Sequence, residues 1–245
     1  MNIKNTIAFV SGANRGIGRA IVLALLSAGA AKIYAAARNT ETLADLVETA
    51  GGRVQAVPLD VTKPEQVAAA AEAYTDVTLL INNAGTAAFA GLIAADDDSA
   101  ARQEMETNYF GTLNMVRAFA PVLAANGGGA VVNLASMASY VNFPVLGSYS
   151  ASKAAVHSLT QGIRAELAAQ GTQVAGVYPG PIDTDMAAQF PMDKTPTKVV
   201  AAAILAGVEN GDDEIYPDPV AVDMHAGYLG DPKAVEKEAG GMLPG

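Results

Sequence analysis

A tyrosine and a lysine four residues apart, Tyr149 and Lys153, are the first residues in this sequence whose spacing could support chemistry. Apolar residues at helical spacing follow them, so both side chains are predicted to share one face near the start of a helix. A free phenol has a pKa of about 10, and a neighbouring ammonium favours its ionised form. The pair therefore predicts a general acid–base unit that exchanges a proton with a substrate.

A serine thirteen residues before the tyrosine could complete this unit. Ser136 directly follows a short apolar run that is typical of a buried strand. A hydroxyl at that strand end could hydrogen-bond a substrate carbonyl or its developing oxyanion. Ser139 is the competing hydroxyl, and a turn-forming role would explain either serine.

Short apolar runs and helical segments alternate along the chain, which is typical of strands that are buried on both faces of a parallel sheet. The predicted strands are residues 7–10, 32–36, 53–59, 77–82, 130–135, 173–178 and 214–216. The predicted helices are about residues 17–28, 42–49, 64–74, 99–125, 150–170 and 198–209, with a short helical piece near 232–238. The pattern predicts an α/β, single-domain Rossmann fold over residues 1–245, with a doubly wound parallel sheet of about seven strands and helices on both faces.

Within this domain we expect three functional regions. Residues 1–135 would mainly bind a cofactor, and residues 136–195 would form a catalytic loop, a catalytic helix and a lid. The lid corresponds to a proline-punctuated loop at 179–195, since long ordered loops in compact domains are often functional. Residues 217–245 are rich in Pro, Gly and Asp and are predicted to form an atypical C-terminal tail that contains the short helical piece near 232–238.

The first predicted strand runs into a glycine-rich turn that contains Gly12, Gly16 and Gly18. Glycines allow a tight turn and let backbone N–H groups approach a pyrophosphate at a helix N-terminus. The spacing differs from the commoner Gly-x-Gly-x-x-Gly pattern. The turn predicts a dinucleotide site, and a tight turn without a ligand is the alternative.

The second predicted strand ends in alanines followed by Arg38, where many dinucleotide sites carry an acidic residue for the ribose 2′-hydroxyl. A guanidinium can instead hold a 2′-phosphate through charge-assisted hydrogen bonds. Arg15 in the glycine turn could converge on the same phosphate. The two arginines predict NADP(H) rather than NAD(H), with solvated surface arginines as the alternative.

Two further strand ends carry polar residues. Asp60 could accept a hydrogen bond from the adenine amino group, or it could cap the helix that begins near Pro64. Asn83, in the run Asn82-Asn83-Ala84-Gly85, could contact the cofactor or tie neighbouring strand ends together. Both pairs of alternatives stay open at the level of the sequence.

The composition limits the classes of partner. The 245 residues include 25 acidic and 15 basic side chains, which give a net charge of −10 and argue against nucleic acid or anionic lipid. The absence of cysteine excludes disulfides and thiolate catalysis, and two histidines cannot build a multi-histidine metal site, so no metal is predicted. No run is long and apolar enough for a membrane span, and no signal peptide is evident, so we expect a cytoplasmic protein.

Taken together, these motifs resemble those of the short-chain dehydrogenase/reductase family. The resemblance covers roughly residues 5–205. It rests on motifs in family order, namely the glycine turn, Asn82-Asn83-Ala84-Gly85, Asn108, Ser136, Tyr149-Ser150-Ala151-Ser152-Lys153 and Pro179-Gly180-Pro181-Ile182-Asp183-Thr184. The chain departs from the family in its ending, which puts the usual tetramer in doubt and leaves a homodimer or a homotetramer as the expectation.

The resemblance implies a role for each residue of the site. Tyr149 would donate the proton in carbonyl reduction, Lys153 would lower the tyrosine pKa and bind the nicotinamide ribose, and Ser136 would polarise the carbonyl. Asn108 would hold a water that relays protons from Lys153, and the cofactor would carry the hydride. The full predicted cofactor set is Gly12, Asn14, Arg15, Gly16, Ile17, Gly18, Arg38, Asp60, Val61, Asn83, Ala84, Gly85, Tyr149, Lys153, Pro179, Gly180, Ile182 and Thr184.

Four apolar residues, Met137, Val141, Phe143 and Phe190, are predicted to line a substrate pocket, although ordinary loop packing explains them about as well. They favour an NADPH-dependent enzyme that reversibly reduces a small, apolar or aromatic ketone or aldehyde. A 3-oxoacyl-carrier-protein reductase is the alternative, disfavoured because an acidic carrier would be repelled by a net charge of −10. A non-catalytic NADP-binding protein is the third hypothesis.

Overall fold

The computed structural model describes residues 1–244 and contains a sheet of seven parallel strands in the order β3-β2-β1-β4-β5-β6-β9. These strands are β1 (Ile7–Ser11), β2 (Lys32–Ala37), β3 (Val54–Pro58), β4 (Leu79–Asn82), β5 (Gly129–Leu134), β6 (Thr172–Val177) and β9 (Glu214–Ile215). A separate two-stranded ribbon pairs β7 (Ile182–Asp183) with β8 (Thr195–Pro196). The doubly wound parallel sheet predicted from the sequence is confirmed.

Nine α-helices accompany the strands within residues 1–244. They are α1 (Gly16–Ser27), α2 (Ala44–Thr49), α3 (Pro64–Ala73), α4 (Ser99–Glu104), α5 (Gly111–Ala125), α6 (Gly147–Leu167), α7 (Thr197–Asn210), α8 (Pro219–Gly230) and α9 (Pro232–Ala239). A π-helical turn over Met105–Phe110 joins α4 to α5, so the long helix predicted over 99–125 is one continuous element with a widened turn inside it. No helix in this part of the chain has the length and apolarity needed to span a membrane.

The sheet has a hydrophobic core on each face. Neighbouring residues of β1 point to opposite cores, with Val10 packed in the cluster that includes α1 and α7 and Phe9 in the cluster that includes α5 and α6. Successive side chains of a strand alternate between the two faces. Because both faces are covered, the strands need apolar residues at every position, which explains the absence of polar alternation in the sequence.

The C-terminal region contains α9 where the sequence predicts a short helical piece near 232–238, and it also contains α8, which the sequence analysis did not predict. The side chain of Asp218 caps α8 by accepting a hydrogen bond from the Ala221 N–H at 2.9 Å, and Pro219 occupies the first helical position. Asp231 and Pro232 begin α9 in the same way. The Asp-Pro pairs were visible signals for helix starts, but the apolar residues of α8 do not gather on one face, so periodicity does not reveal it.

Candidate active site

A cleft of about 1070 Å³ lies across the carboxyl ends of β1, β4, β5 and β6. Strand order reverses between β1 and β4, and ligands of doubly wound sheets bind where such a reversal separates the strand ends. We call the part near Gly12 and Arg38 the glycine end. The part near Met137 and Phe190 is the apolar end. Tyr149 lines the same cleft as the residues of both ends.

The glycine turn has a backbone that other residues could not easily adopt. Gly12 and Gly16 have φ of +64° and +53°, a left-handed region that favours glycine. A Cβ on Gly12 would lie 2.9 Å from the Ala84 Cα, and one on Gly18 would overlap the Gly12 carbonyl oxygen. Arg15 at the N-cap of α1 makes no capping hydrogen bond, so N–H donors of the first turn remain for a ligand. These features fit a dinucleotide pyrophosphate.

Asn83 ties the ends of β4 and β1 together. Its Nδ2 donates to the carbonyl oxygens of Ser11 at 3.0 Å and Gly12 at 2.9 Å. The Ser11 hydroxyl in turn accepts from the backbone N–H groups of Asn83 and Ala84, each at 3.1 Å. The sequence leaves open whether Asn83 contacts the cofactor or ties strand ends together. Its side chain does tie the ends of β1 and β4, and the residue also lines the cleft.

Both predicted arginines line the glycine end of the cleft. Arg15 forms an exposed ion pair with Asp185, with Nη1 3.5 Å from Oδ2, which links the glycine turn to the loop after β7. Arg38 directly follows β2, and none of the residues of β2 is acidic. The glycine end therefore combines two guanidinium groups with the N-terminus of α1, which is an arrangement suited to phosphate groups.

Asp60 also lines the glycine end, but it does not cap the next helix. Its Oδ1 accepts from both the N–H and the hydroxyl of Thr62, at 3.0 and 2.8 Å, and Lys63 takes the N-cap position of α3. The capping role considered for Asp60 is therefore wrong. Burial would raise the pKa of Asp60, but the hydrogen bonds from Thr62 and the charge of Arg38 bring it below its usual value.

Most of the remaining residues predicted to bind a cofactor are brought to the cleft wall. These are Asn14, Ile17, Val61, Ala84, Gly85, Pro179, Gly180, Ile182 and Thr184. Gly18 does not line the cleft and instead lets α1 approach the Gly12 carbonyl and the Asn83 amide. Gly180 is held by Asp218, whose Oδ2 accepts from its N–H at 2.8 Å.

Ser136, Tyr149 and Lys153 all line the same cleft, although they come from the end of β5 and the first two turns of α6. The helix begins at Gly147, three residues before the predicted start, so Tyr149 lies inside it. The Lys153 ammonium nitrogen lies 5.7 Å from the centre of the Tyr149 ring. It donates to the Leu134 carbonyl at 2.6 Å, which fixes it at the end of β5.

The electrostatics of this group differ from the expectation that lysine acidifies the tyrosine. Burial raises the pKa of Tyr149 to about 12; the Ser136 hydroxyl lowers it and Glu104 raises it further. Burial also lowers the pKa of Lys153 to about 8. The physical reason is that the charged forms of both side chains lose hydration in the cleft wall.

The two serines differ in what their hydroxyls contact and in whether they line the cleft. The Ser139 hydroxyl is buried and donates to the Lys153 carbonyl at 2.9 Å, and it accepts from the Ser136 N–H at 3.3 Å. Both serines belong to the capping box of a 3₁₀ turn over Met137–Ser139, in which the Ser136 hydroxyl accepts from the Ala138 N–H at 3.1 Å. Ser136 is the hydroxyl that lines the cleft beside Tyr149.

Asn108 lies in the π-helical turn and is 1% exposed, so it does not line the cleft. Its Nδ2 donates to the Thr86 carbonyl and to the Ser152 hydroxyl, both at 2.9 Å, and its Oδ1 accepts from the Thr86 N–H at 2.8 Å. The Asn108 amide therefore fastens Thr86 to α6. The implied role of holding a water stays a prediction.

At the apolar end, Met137, Phe143 and Phe190 line the cleft as predicted, whereas Val141 does not. Val141 is 7% exposed and is not among the residues of the cleft wall, although Phe143 two residues later is. The placement of Val141 in the substrate pocket therefore has to be corrected. Phe89, which the sequence did not reveal as a lining residue, meets the Phe190 ring edge-on at 5.4 Å.

A second group of lining residues was also missed, because nothing in the sequence places the tail from residue 217 beside the cleft. We call it the C-terminal wall, and it consists of Val220, Met224, Val235, Ala239 and Met242. The Met242 carbonyl accepts from the Val145 N–H at 2.9 Å and so fastens this wall to the loop before α6. The Asp-Pro helix starts were the signal that could have placed part of it.

Comparison with known proteins agrees with this geometry. Residues 6–195 match the family model described as short chain dehydrogenase. The chain belongs to the short-chain dehydrogenase family. The family prediction is thus confirmed, and with it the predictions of an oxidoreductase and of a nicotinamide cofactor.

Several characterised or solved relatives of this short-chain dehydrogenase are similar over most of its length. A short chain dehydrogenase from Burkholderia cenocepacia J2315, solved in complex with NADP, is 45% identical, covers 98% of this chain and 99% of its own, and superposes with a TM-score of 0.93. A galactitol 2-dehydrogenase (L-tagatose-forming) from Cereibacter sphaeroides is 39% identical over 73% of this chain and 72% of its own. An enzyme from Burkholderia phymatum, solved with NAD, is 25% identical over 96% of each chain, with a TM-score of 0.84.

Proposed function

We propose that this dehydrogenase is an NADPH-dependent carbonyl reductase that reversibly converts a small apolar or aromatic ketone or aldehyde to the alcohol. One observation carries the proposal. Ser136, Tyr149 and Lys153 meet in a cleft whose glycine end carries two arginines and whose apolar end is built from Met and Phe side chains. The first end suits a phosphorylated dinucleotide and the second suits an apolar carbonyl compound.

The preference for NADP(H) over NAD(H) rests on Arg15 and Arg38. Both lie in the glycine end, where a guanidinium can pair with a 2′-phosphate, and the end of β2 carries alanines and Arg38 in place of a carboxylate that would repel it. The solved Burkholderia cenocepacia relative, at 45% identity, holds NADP. When bound, the reduced cofactor supplies the hydride, and Lys153 and the residues of the glycine turn would hold it.

The residues of the chain then have distinct tasks in the reduction. The Ser136 hydroxyl donates a hydrogen bond to the carbonyl oxygen and stabilises the negative charge that develops there. Tyr149 gives its proton to the same oxygen. A Tyr149 pKa of about 12 keeps the phenol protonated at neutral pH, so the proton needed for carbonyl reduction is in place. The Lys153 ammonium compensates the phenolate that is left.

The charge distribution of the cleft supports an uncharged substrate. The basic side chains among its lining residues are Arg15 and Arg38 at the glycine end and Lys153 beside Tyr149. None lies on the C-terminal wall, so nothing there would pair with a carboxylate or phosphate. The same fact, together with a net charge of −10, disfavours an acidic carrier protein as the bearer of the substrate.

Three expectations from the sequence remain proposals. We propose that residues 1–245 form one domain, that the protein assembles as a homodimer or homotetramer, and that it works in the cytoplasm. The first is supported by hydrophobic clusters that connect the strands from β1 to β9 with α1 and α7. The family resemblance supports the homodimer or homotetramer, with an interface formed by the helices that carry Asn108 and Tyr149.

A panel of ketones and aldehydes, followed by the loss of NADPH absorbance, tests the function. Tyr149→Phe removes the proton donor and should lower kcat by about 10²–10⁴-fold while NADPH affinity, measured by fluorescence titration, stays nearly unchanged. Tyr74→Phe, which removes a phenol outside the cleft, is the matched control and should retain activity.

Two results would contradict the proposal. Consumption of NADPH that is equal in wild type and Tyr149→Phe would remove Tyr149 from the reaction. Tight NADPH binding without turnover of any carbonyl compound would instead favour the non-catalytic NADP-binding protein.

A further inference from the structure

A cluster of aromatic side chains joins α8 to the body of the domain. We call it the aromatic cluster, and it consists of Tyr140, His157, Tyr178, Tyr216, His225 and Tyr228. None of these six side chains lines the cleft. They come from the turn after β5, from α6, from the ends of β6 and β9, and from α8. The cluster therefore connects a C-terminal helix with the elements that carry Ser136 and Lys153.

The Tyr216 hydroxyl is the centre of a hydrogen-bond network in this cluster. It donates to Glu214 Oε2 at 2.7 Å and lies 2.9 Å from both the Tyr140 hydroxyl and the His225 Nε2. The Tyr140 hydroxyl is 3.4 Å from the same carboxylate oxygen, so the shorter contact belongs to Tyr216. A tyrosine hydroxyl has one hydrogen and two lone pairs. Because that hydrogen goes to Glu214, His225 has to donate from Nε2.

His225 also stacks on the ring of Tyr216. The two ring centres are 4.1 Å apart, and 17° separates the ring planes. The Tyr140 ring centre lies 5.3 Å from that of His225 and 5.4 Å from that of Tyr228, three residues further along α8. Aromatic pairs at such separations are favourable beyond the area that they bury. Two neighbouring turns of α8 are thus held by aromatic contacts.

Helix α8 has few other side chains that could hold it. Asp218 fixes its first turn through the N–H of Ala221, which is the residue of this helix that is buried. Met224, His225 and Tyr228 are partly buried, and the other residues of α8 are exposed. The direction of α8 beyond its first turn therefore depends on these three side chains, of which His225 forms the hydrogen bond to the cluster.

The same helix carries part of the cleft wall. Four of its residues line the cleft at helical spacing, namely Val220, Asp223, Met224 and Gly227. Helix α9 packs on α8, and the C-terminal wall apart from Met242 belongs to these two helices. A change in the tilt of α8 on the aromatic cluster would thus move most of this wall, while the glycine end stays in place.

We propose that His225 is a positioning residue for the substrate: through Tyr216 it fixes α8 and thereby the shape of the apolar end of the cleft. The inference rests on the proposed function, because it names a determinant of which carbonyl compounds that enzyme accepts. His225 does not line the cleft, and no bond to the substrate is made or broken by it.

Loss of His225 should change substrate binding more than the chemical step. His225→Ala removes the stack and the hydrogen bond together, so the KM for an aromatic ketone that fills the apolar end should rise about tenfold. The kcat and the Kd of NADPH should stay within about twofold, since the catalytic group and the glycine end keep their contacts. Leu229→Ala, at a position of α8 that is 71% exposed, is the matched control and should leave all three constants unchanged.

Two further variants separate the hydrogen bond from the stack. His225→Gln keeps an N–H donor for Tyr216 and loses the ring, whereas His225→Phe keeps a ring and loses the donor. Each should recover part of the substrate affinity that His225→Ala loses. Adding His225→Phe to Tyr216→Phe should raise the KM little further, because both changes remove the same hydrogen bond.

Hydrogen exchange measured by mass spectrometry tests the attachment without any substrate. Backbone amides of residues 222–230 should exchange about tenfold faster in His225→Ala, while those of α1 and β1 should exchange as in wild type. If wild type reduces no carbonyl compound, the proposed function fails, yet this measurement still shows whether His225 holds α8.

Unchanged exchange of α8 in a folded His225→Ala protein overturns the inference, and so does an unchanged KM for the aromatic ketone. An equal rise of the KM in Leu229→Ala also overturns it, because any change on the helix would then have the same effect. If His225→Ala does not fold, Tyr216→Phe removes one oxygen atom and keeps the ring, and the same measurements apply to it.

Discussion

The glycine turn and the C-terminal wall face the same cleft but are built in opposite ways. In the turn, backbone meets backbone, with no room for a Cβ on Gly12 or Gly18. The C-terminal wall presents side chains from two short helices, is fastened by the bond between Met242 and Val145, and is followed by Leu243 at 71% exposure. A backbone-built site suits a ligand that is common to a whole family, whereas a side-chain wall can change with the substrate.

The largest effect that would test this comparison is expected at Gly18. Gly18→Ala would place a Cβ against the Gly12 carbonyl oxygen and the Asn83 amide nitrogen. We expect the free energy of unfolding to fall by about 2–3 kcal/mol, measured by urea denaturation, together with weaker NADPH binding. The change is confined to one methyl group, so the loss reports the close approach of α1 to the turn.

Gly162→Ala is the matched control for Gly18. Gly162 lies in α6, and no atom lies within 4 Å of the position that an added methyl group would take. Alanine there should stabilise the protein by up to about 1 kcal/mol. Equal effects of the two substitutions would contradict the view that the glycine turn is fixed by backbone contacts.

A smaller but specific effect is expected at Arg38. Arg38→Asp removes charge-assisted hydrogen bonds that are worth about 1.5–3 kcal/mol, and it repels a 2′-phosphate. The ratio of kcat/KM for NADPH to that for NADH should fall by about 10–100-fold. Arg117→Asp makes the same change at an exposed position of α5, and the ratio should stay constant there. An unchanged ratio in Arg38→Asp would leave the cofactor preference without its explanation.

The smallest effect is expected at the C-terminal wall. Met242→Ala enlarges the apolar end of the cleft and keeps the backbone carbonyl that bonds Val145. The ratio of kcat/KM for a bulky ketone to that for a small one should rise several-fold, since about 1 kcal/mol of packing is at stake. Leu243→Ala changes the exposed neighbour and should leave this ratio and the KM for NADPH as they are. If both variants altered selectivity equally, the wall would not be its cause.

The predictions from the sequence succeeded where the signal is local. The strands were recognisable because residues such as those of β4 are buried on both faces and hence uniformly apolar. The pairing of Tyr149 with Lys153 follows from the spacing of four residues on a helix. Helix α8 was missed because its apolar residues do not gather on one face, and Ala221 is the residue of this helix that is buried. A search for helical periodicity needs such an apolar face.

Other features could not be read from the chain because each depends on a distant partner. Ser136 and Ser139 have similar surroundings in sequence, and only the bond from Ser139 to the Lys153 carbonyl separates them. The pKa of Tyr149 depends on how deeply the first turn of α6 is buried and on Glu104, which precedes it by 45 residues. Neither the burial of this turn nor the position of Glu104 beside it is encoded in a local sequence pattern.

The amino-acid sequence by itself determined the alternation of strands and helices, the glycine turn and the Tyr149–Lys153 spacing. These features arise from interactions between residues that are neighbours in the chain, so their periods and positions are written in it. The tertiary structure decided that Glu104 is buried with only one carboxylate oxygen hydrogen-bonded, and that Met242 lines the apolar end of the cleft. Those contacts join segments that are far apart in sequence, and packing alone selects them.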